Sequence, residues 1–479
     1  MAKQAIPPEE VKVLDQNASF LGVRTITLME NAGAAVAQVV AAMSKPGSRI
    51  AVVCGKGNNG GDGFVAARYL ESKGLHVDVV LAQPSNTISS DIAKVNLERV
   101  RDKLREPSLF DPKQYDLIVD ALLGIGLQGR PKEPYSRLIT RLNESKRKIV
   151  SIDVPSGWPS DLHVRPDITV TLHAPKVGMN PKNSGKIVVA DIGVPKEAED
   201  YCGPGDFVLL PRRRKDYHKG DAGRVLVIGG GPYTGAPAFT GMAAMRSGVD
   251  LTFVATPQSA ALQVSVYSPN LIVKPLSGEI LTGEHVRELV DFAKGMDVVA
   301  IGPGLGDDKE TLAAIREIVK RVSSRLVIDA DAIGACGMNT KILKGKSGVI
   351  TPHSGEFKKL TGKTLPSEDM DRRISMVKEA AGKLKMTILL KGPTDIISDG
   401  RYVKMNRVHN DAMTVGGTGD VLTGVVAGIM AQKAEPFPAA RIGAFSAGLA
   451  GNLAFDEKSY GLLATDVIDK IPFVLRRYL

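Results

Sequence analysis

Short apolar runs of β type, separated by helix-length spacers, recur along this 479-residue chain, and few folds accept such a pattern. The first half offers Arg49 to Cys54, Val77 to Leu81, Leu117 to Asp120 and Lys148 to Ile152. Runs that are apolar throughout must be covered on both faces, which calls for a parallel sheet with helices on each side. Near Gly203-Pro204-Gly205, Pro211 and the basic run Arg212-Arg213-Arg214-Lys215, composition changes and the pattern restarts. The second half then offers Arg224 to Ile228, Val298 to Ile301, Arg325 to Ile328 and Thr387 to Leu390. The chain is too long for one ordinary core. Two doubly wound α/β domains are expected, residues 1–210 and 211–479.

With 43% hydrophobic and 24% charged residues, the chain reads as globular. No run of about 18 uncharged apolar residues occurs, so no membrane is expected. The start, Met1 to Glu10, lacks an apolar signal core. Three cysteines, Cys54, Cys202 and Cys336, fit neither a disulfide framework nor a zinc site, and the expected compartment is the cytoplasm. The net charge of +10 favours anionic partners. With 5% aromatics and no longer basic run, nucleic acid is not expected among them.

Within the second half, Thr414 to Gly424 packs four glycines around Asp420. Glycines let the backbone turn its N–H groups toward an anion, and the helical pattern from Val421 to Gln432 aims a positive dipole end at the same place. Asp420 beside a phosphate would be placed to take a proton from a substrate hydroxyl. The alternative is a glycine-rich helix entry with Asp420 as a first-turn acid.

The first half has its own glycine site. Gly55-Lys56-Gly57-Asn58-Asn59-Gly60 matches G-x-G-x-x-G after a strand, and Gly61-Asp62-Gly63 leads into a helix from about Phe64 to Ser72. Asp78 is the candidate ribose partner. Amide and carboxylate oxygens beside a phosphate-binding turn suit a cation as well as ribose hydroxyls, whereas the plainer reading is a tight turn with Asn and Asp as helix caps. Asp120, Gly124 to Arg130 and Asp153 to Gly157 also follow strands, and in doubly wound sheets ligands gather outside the carboxyl ends of strands.

These four motifs, together with Leu28-Met29-Glu30-Asn31-Ala32-Gly33, resemble the NAD(P)H-hydrate epimerase family, which has a Rossmann-like sheet. The resemblance makes Asn59, Asp120 and Ser156 potassium ligands. It places the hydrated cofactor against Asn58, Asn59, Gly60, Gly61 and Asp62, against Gly124, Ile125, Gly126, Leu127, Gln128, Gly129 and Arg130, and against Asp153, the expected acid/base. Trp158-Pro159-Ser160 departs from the family pattern at the rim.

The second half is similar to the ADP- or ATP-dependent NAD(P)H-hydrate dehydratases, which are ribokinase-like. The similarity lies in His218 to Gly223, Tyr233 to Pro237, Gly302 to Gly306, Thr351 to Glu356, Lys391 to Asp395 and Gly416 to Asp420. It implies that Ala236, Gly304, His353 and Asp420 contact the hydrate. The nucleotide would meet Lys391, Gly392, Pro393, Thr394, Asp395 and Gly419. Phosphorylating the ring hydroxyl turns hydroxide into phosphate, a better leaving group, and elimination restores the dihydronicotinamide, with phosphate and AMP as by-products. The order of the halves is that of the fused repair enzymes, whose resemblance implies ADP, with ATP as the alternative, NADH and NADPH hydrates as substrates, Mg2+ with the nucleotide, and a homo-oligomer.

Plainer readings stand beside these. His353 could be a satisfied loop histidine, Lys391-Gly392 an ordinary connection, and Asp329-Ala330-Asp331 either a magnesium site or turn and cap residues. Another ribokinase-like small-molecule kinase, or a first domain that only binds, are the rival functions.

Overall fold

The computed structural model describes Lys3–Leu479. The chain forms two compact units that divide between Ala198 and Glu199.

The first unit is built on seven strands, β1 (Arg49–Cys54), β2 (His76–Leu81), β3 (Leu104–Arg105), β4 (Leu117–Ala121), β5 (Lys148–Ile152), β6 (Ile168–Leu172) and β7 (Lys186–Ala190). They lie in the order β3-β2-β1-β4-β5-β6-β7, all parallel. The order reverses between β1 and β4, and such a switch point leaves a crevice at the strand ends. Val52, Val119 and Val150 line one buried face, while Ala51, Ile118 and Ile149 line the other.

The second unit adds β8 (Arg224–Ile228), β9 (Leu251–Pro257), β10 (Ile272–Leu276), β11 (Val298–Ile301), β12 (Arg325–Ile328), β13 (Gly348–Ile350), β14 (Thr387–Leu390), β15 (Asp395–Ser398) and β16 (Val403–Asn406). The order is β10-β9-β8-β11-β12-β13-β14-β15-β16, with β14, β15 and β16 antiparallel. Its switch point lies between β8 and β11.

All eight strand runs expected from the sequence are present. Those not anticipated include the short β13 and the hairpin β15–β16, but also the seven-residue β9. The compact second unit begins ahead of the expected boundary at residue 211, because the segment before Pro211 is bound to it. Cys202 N donates to Met405 O, Phe207 stacks on Tyr478, and Asp206, wholly buried, pairs with buried Arg441.

Among the described residues one helix, Thr25–Met43, is long and apolar enough to cross a membrane by length and composition. It nevertheless carries Glu30, held by Arg68 and Tyr69, and it packs so closely on the helix Asn58–Ser72 that a Cβ on Gly33 would fall 2.4 Å from Val65 Cβ. Its apolar face is part of the core.

Candidate functional site

The glycine motif of the first unit forms the first turns of the helix Asn58–Ser72, which begins well before Phe64. Close packing overrides the poor helix propensity of these glycines. A Cβ on Gly60 would lie 2.0 Å from Gly55 O, and one on Gly61 would lie 2.5 Å from Met29 Cε. Gly60 and Gly61 therefore let the helix seat against β1 and its neighbours. Asn58, Asn59 and Asp62 are left at the crevice.

That crevice is a cavity of about 610 Å3 lined by Asn58, Asn59, Asp62, Gly124 to Gln128 and Asp153. Gly129 and Arg130 lie outside the lining, with Arg130 Nε 3.5 Å from Asp161 at an exposed corner. Asp78 is withdrawn from any ribose, its carboxylate taken by Arg105 Nε at 2.8 Å and the Tyr115 hydroxyl at 3.0 Å.

Asp153 follows β5 with a φ of 66°, a left-handed conformation that costs a non-glycine residue about 1–3 kcal/mol and is found where function holds it. Its Oδ1 accepts from Leu172 N at 3.2 Å and pairs with the Lys176 ammonium. Lys176 is wholly buried, and its other bonds go to Thr171 Oγ1 and Leu172 O. The carboxyl of Asp62, also buried, takes no hydrogen bond from a described residue. Burial above all, and then Asp153 and Asp15, drive its pKa well up.

Behind the lining sits wholly buried Asp120. Its Oδ1 accepts from Ser156 Oγ at 2.5 Å and its Oδ2 from Ser156 N at 2.9 Å and Ser151 Oγ at 2.7 Å. Burial raises its pKa, against those hydrogen bonds. Ser156 Oγ also lies 3.2 Å from Leu123 O and accepts from Leu123 N. The Asn59 side chain rests against Gly124, with its Nδ2 buried and unpartnered.

In the second unit, the helix Thr418–Ala431 starts at Gly417, whose φ of 95° only glycine adopts freely and whose added Cβ would meet the Phe239 ring at 2.7 Å. Asp420 lies in its first turn, and no side chain caps this helix. Asp420 is thus the first-turn acid of a glycine-rich helix entry, as the plainer reading has it, and it makes no capping hydrogen bond. Burial first, then Asp329, pushes the Asp420 pKa up to about 7, with Lys391 opposing. Lys391, at the end of β14, sends its ammonium to Asp329 Oδ1 at 2.8 Å and lies 3.7 Å from Glu356 Oε2.

Gly392 to Thr394 form the turn between β14 and β15, and Asp395 closes it by accepting from Gly392 N and from Asn406 Nδ2. Gly419 is near enough that an added Cβ would lie 3.6 Å from Lys391 Nζ. Ala236 and Gly304 are neighbours, and Thr240 Oγ1, placed against both Ala236 O and Asp420 O, joins the first turns of their helices. His353 caps the helix Ser354–Thr361, its Nδ1 accepting from Gly355 N while Glu356 reaches back to His353 N. Asp329 has its other oxygen on Thr423, and Asp331 accepts from Gly306 N. Among the described residues no group of three or more His, Cys, Asp or Glu could hold a metal.

A family model described as NAD(P)H-hydrate dehydratase matches residues 225–473, and one described as YjeF-related protein N-terminus matches residues 25–178. A bifunctional NAD(P)H-hydrate repair enzyme of Pyrobaculum aerophilum is 43% identical over 99% of this chain and 99% of its own. The chain belongs to the bifunctional NAD(P)H-hydrate repair enzyme family. A relative of the same description from Hyperthermus butylicus is 42% identical over 98% of this chain and 92% of its own. A solved ribokinase-like superfamily protein from Enterococcus faecalis is 26% identical, covering 58% of this chain and 96% of its own, with a TM-score of 0.50.

As a member of the bifunctional NAD(P)H-hydrate repair enzyme family, the protein joins an epimerase in its first unit to a dehydratase in its second. This sets aside the rival readings of another small-molecule kinase and of a first domain that only binds. Two groups that the structure brings to the first cavity, Asp15 and Lys176, belong to none of the motifs that the sequence offered. Lys176 reaches Asp153 by folding alone, and only the helix period places Asp15 on the cavity side.

Proposed function

We propose that the cavity at the β1/β4 switch point is where the R and S hydrates interconvert, with Asp153 as acid/base and Asn58 to Asp62 and Gly124 to Gln128 as the binding set, Gly129 and Arg130 standing beyond its rim. The observation that carries this reading is the convergence of Asn58, Asn59, Asp62, Gly124 to Gln128 and Asp153 on one cavity. Asp153→Asn, assayed on a pure epimer without nucleotide, tests it. Loss of interconversion supports the assignment, and an unchanged rate contradicts it.

Potassium is the proposed ion at Asn59, Asp120 and Ser156. The donor set fits: a carboxylate, a hydroxyl and an amide oxygen offer hard oxygens with one formal charge, which suits a monovalent cation. When bound, the ion supplies a fixed positive charge beside the glycine-rich helix start.

For the second unit, the proposed general base is Asp420, which takes the hydroxyl proton as the phosphoryl group arrives. The amides of Gly416 to Gly419 face the charge that develops on that group. Ala236, Gly304 and His353 would hold the hydrate, and Lys391 to Asp395 with Gly419 the nucleotide, taken as ADP and carrying Mg2+ on its phosphates. The grouping of Asp329, Lys391, Glu356 and Asp420 at the ends of β12 and β14 and the starts of the helices Ser354–Thr361 and Thr418–Ala431 supports this. The functional division is proposed near residues 1–210 and 211–479. Three buried free cysteines suit a reducing cytoplasm, where the protein is proposed to act as a homo-oligomer.

A further inference from the structure

The first unit carries a helix, Pro8–Phe20, that lies ahead of the family-matched span beginning at residue 25. Its start is pinned beside Lys176. Ile6 N donates to Pro175 O and Val177 N to Ile6 O, which lays the chain along the segment that bears that lysine. From there the helix runs over the cavity and contributes Val11, Lys12, Leu14 and Asp15 to its lining. Leu14 and Val13 are buried, so the rotation of the helix is fixed and Asp15 is held on the cavity side. The carboxyl of Asp15 takes no hydrogen bond from a described residue, although it lies near enough to Asp153 and Lys176 to feel both charges.

Resting on the assignment of this cavity to epimerisation, we propose that Asp15 is a second catalytic acid/base, acting with Asp153 on the hydroxyl-bearing ring carbon from the opposite side. Two carboxyls on different elements, one at the end of β5 and one on the overlying helix, would flank a ring placed between them.

The chemistry needs such a pair. Water adds to a dihydronicotinamide at the carbon beside the ring nitrogen, because that nitrogen stabilises the cation through which addition occurs. Inversion follows when the carbon–oxygen bond breaks and re-forms on the other face. Asp15, as the acid, gives its proton to the departing hydroxyl, which leaves as water with the bonding pair, and the nitrogen lone pair makes the carbon–nitrogen double bond. A second water then attacks from the far side, the double-bond pair returns to nitrogen, and the Asp153 carboxylate takes the proton that water sheds. One water leaves, one enters, and one proton passes from Asp15 to Asp153. The reverse epimerisation uses the two in exchanged roles.

The charges suit those roles. Lys176 holds Asp153 in an ion pair. Burial first, and Asp153 second, push Asp15 up to about 6, with Lys176 opposing. Asp62 faces the pair from the helix Asn58–Ser72, His173 from the segment after β6, and Lys56 and Lys12 from the rim.

The test uses the full chain and a pure epimer of hydrated NADH without nucleotide, with R and S separated by chromatography. Asp15→Asn should slow interconversion by about 10²–10⁴, the range of a lost general acid. Asp15→Glu should recover part of the rate. The wild-type kcat/KM should fall as pH rises through about 6, since the acid must be protonated, and Asp15→Asn should lack that limb. Asp15→Asn keeping more than about a tenth of the rate, while Asp153→Asn is inactive, overturns the role of Asp15 and leaves the cavity assignment standing. An active Asp153→Asn overturns the assignment and the role together. A wild-type profile flat from about pH 5 to about pH 9 overturns the proposal whatever the variants do, even if Asp15→Asn fails to fold.

Discussion

The ammonium of Lys391 and the carboxylate of Asp329 form an ion pair 2.8 Å long, and Asp329 is 2% exposed. The pair holds Lys391 between Asp329 and Glu356, next to Asp420. Removing one partner of a buried pair leaves an uncompensated charge, at a cost of about 3–5 kcal/mol. Lys391→Met should therefore lower the unfolding free energy of the second unit by that order and abolish dehydration. Adding Asp329→Asn should return most of the stability but none of the activity. Denaturant unfolding of the single and double variants checks both.

Asp420→Asn keeps the size of the side chain but cannot accept a proton. Dehydration should fall by about 10²–10⁴, with nucleotide still bound and interconversion of epimers unchanged. The base works ionised, so wild-type kcat/KM should drop as pH falls through about 7, and the variant should lose that limb. The folded pKa lies above the ordinary aspartate value of 3.8, so ionisation costs stability as pH rises between about 3.8 and about 7. Above about pH 7 the variant should melt higher than the wild type, which calorimetry reads directly.

A fragment beginning at Glu199 should fold alone and dehydrate only the S hydrate. One beginning at Phe207 should be far less stable, because it loses Asp206 and leaves Arg441, 1% exposed, without its carboxylate. Equal stability of the two fragments would show that this buried pair contributes little to the second unit.

Potassium should raise the melting temperature of the first unit in the wild type and not in Asp120→Ala. The variant should also lose epimerase activity while dehydrating pure S hydrate normally. A potassium response that survives in Asp120→Ala would place the ion elsewhere.

The repeating strand–helix grammar made both sheets legible, since apolar runs such as Ile50 to Cys54 and Val298 to Ile301 can sit nowhere but in a covered parallel sheet. The strand-end motifs were legible for the same reason. Less visible was the helical start at Asn58, because Gly60 and Gly61 read as a loop until their contacts with Gly55 and Met29 are known. The Lys176–Asp153 pair was not visible at all. Its partners are brought together by the crossover from β5 through β6, and no local spacing records that.

The most direct test of two linked activities on one chain starts from pure R hydrate and ADP and follows recovery of the dihydronicotinamide absorbance. The wild type should recover it fully, Asp153→Asn should recover it from S hydrate only, beyond the slow uncatalysed interconversion, and Asp420→Asn from neither. Recovery from R hydrate by Asp153→Asn at the wild-type rate would contradict the account.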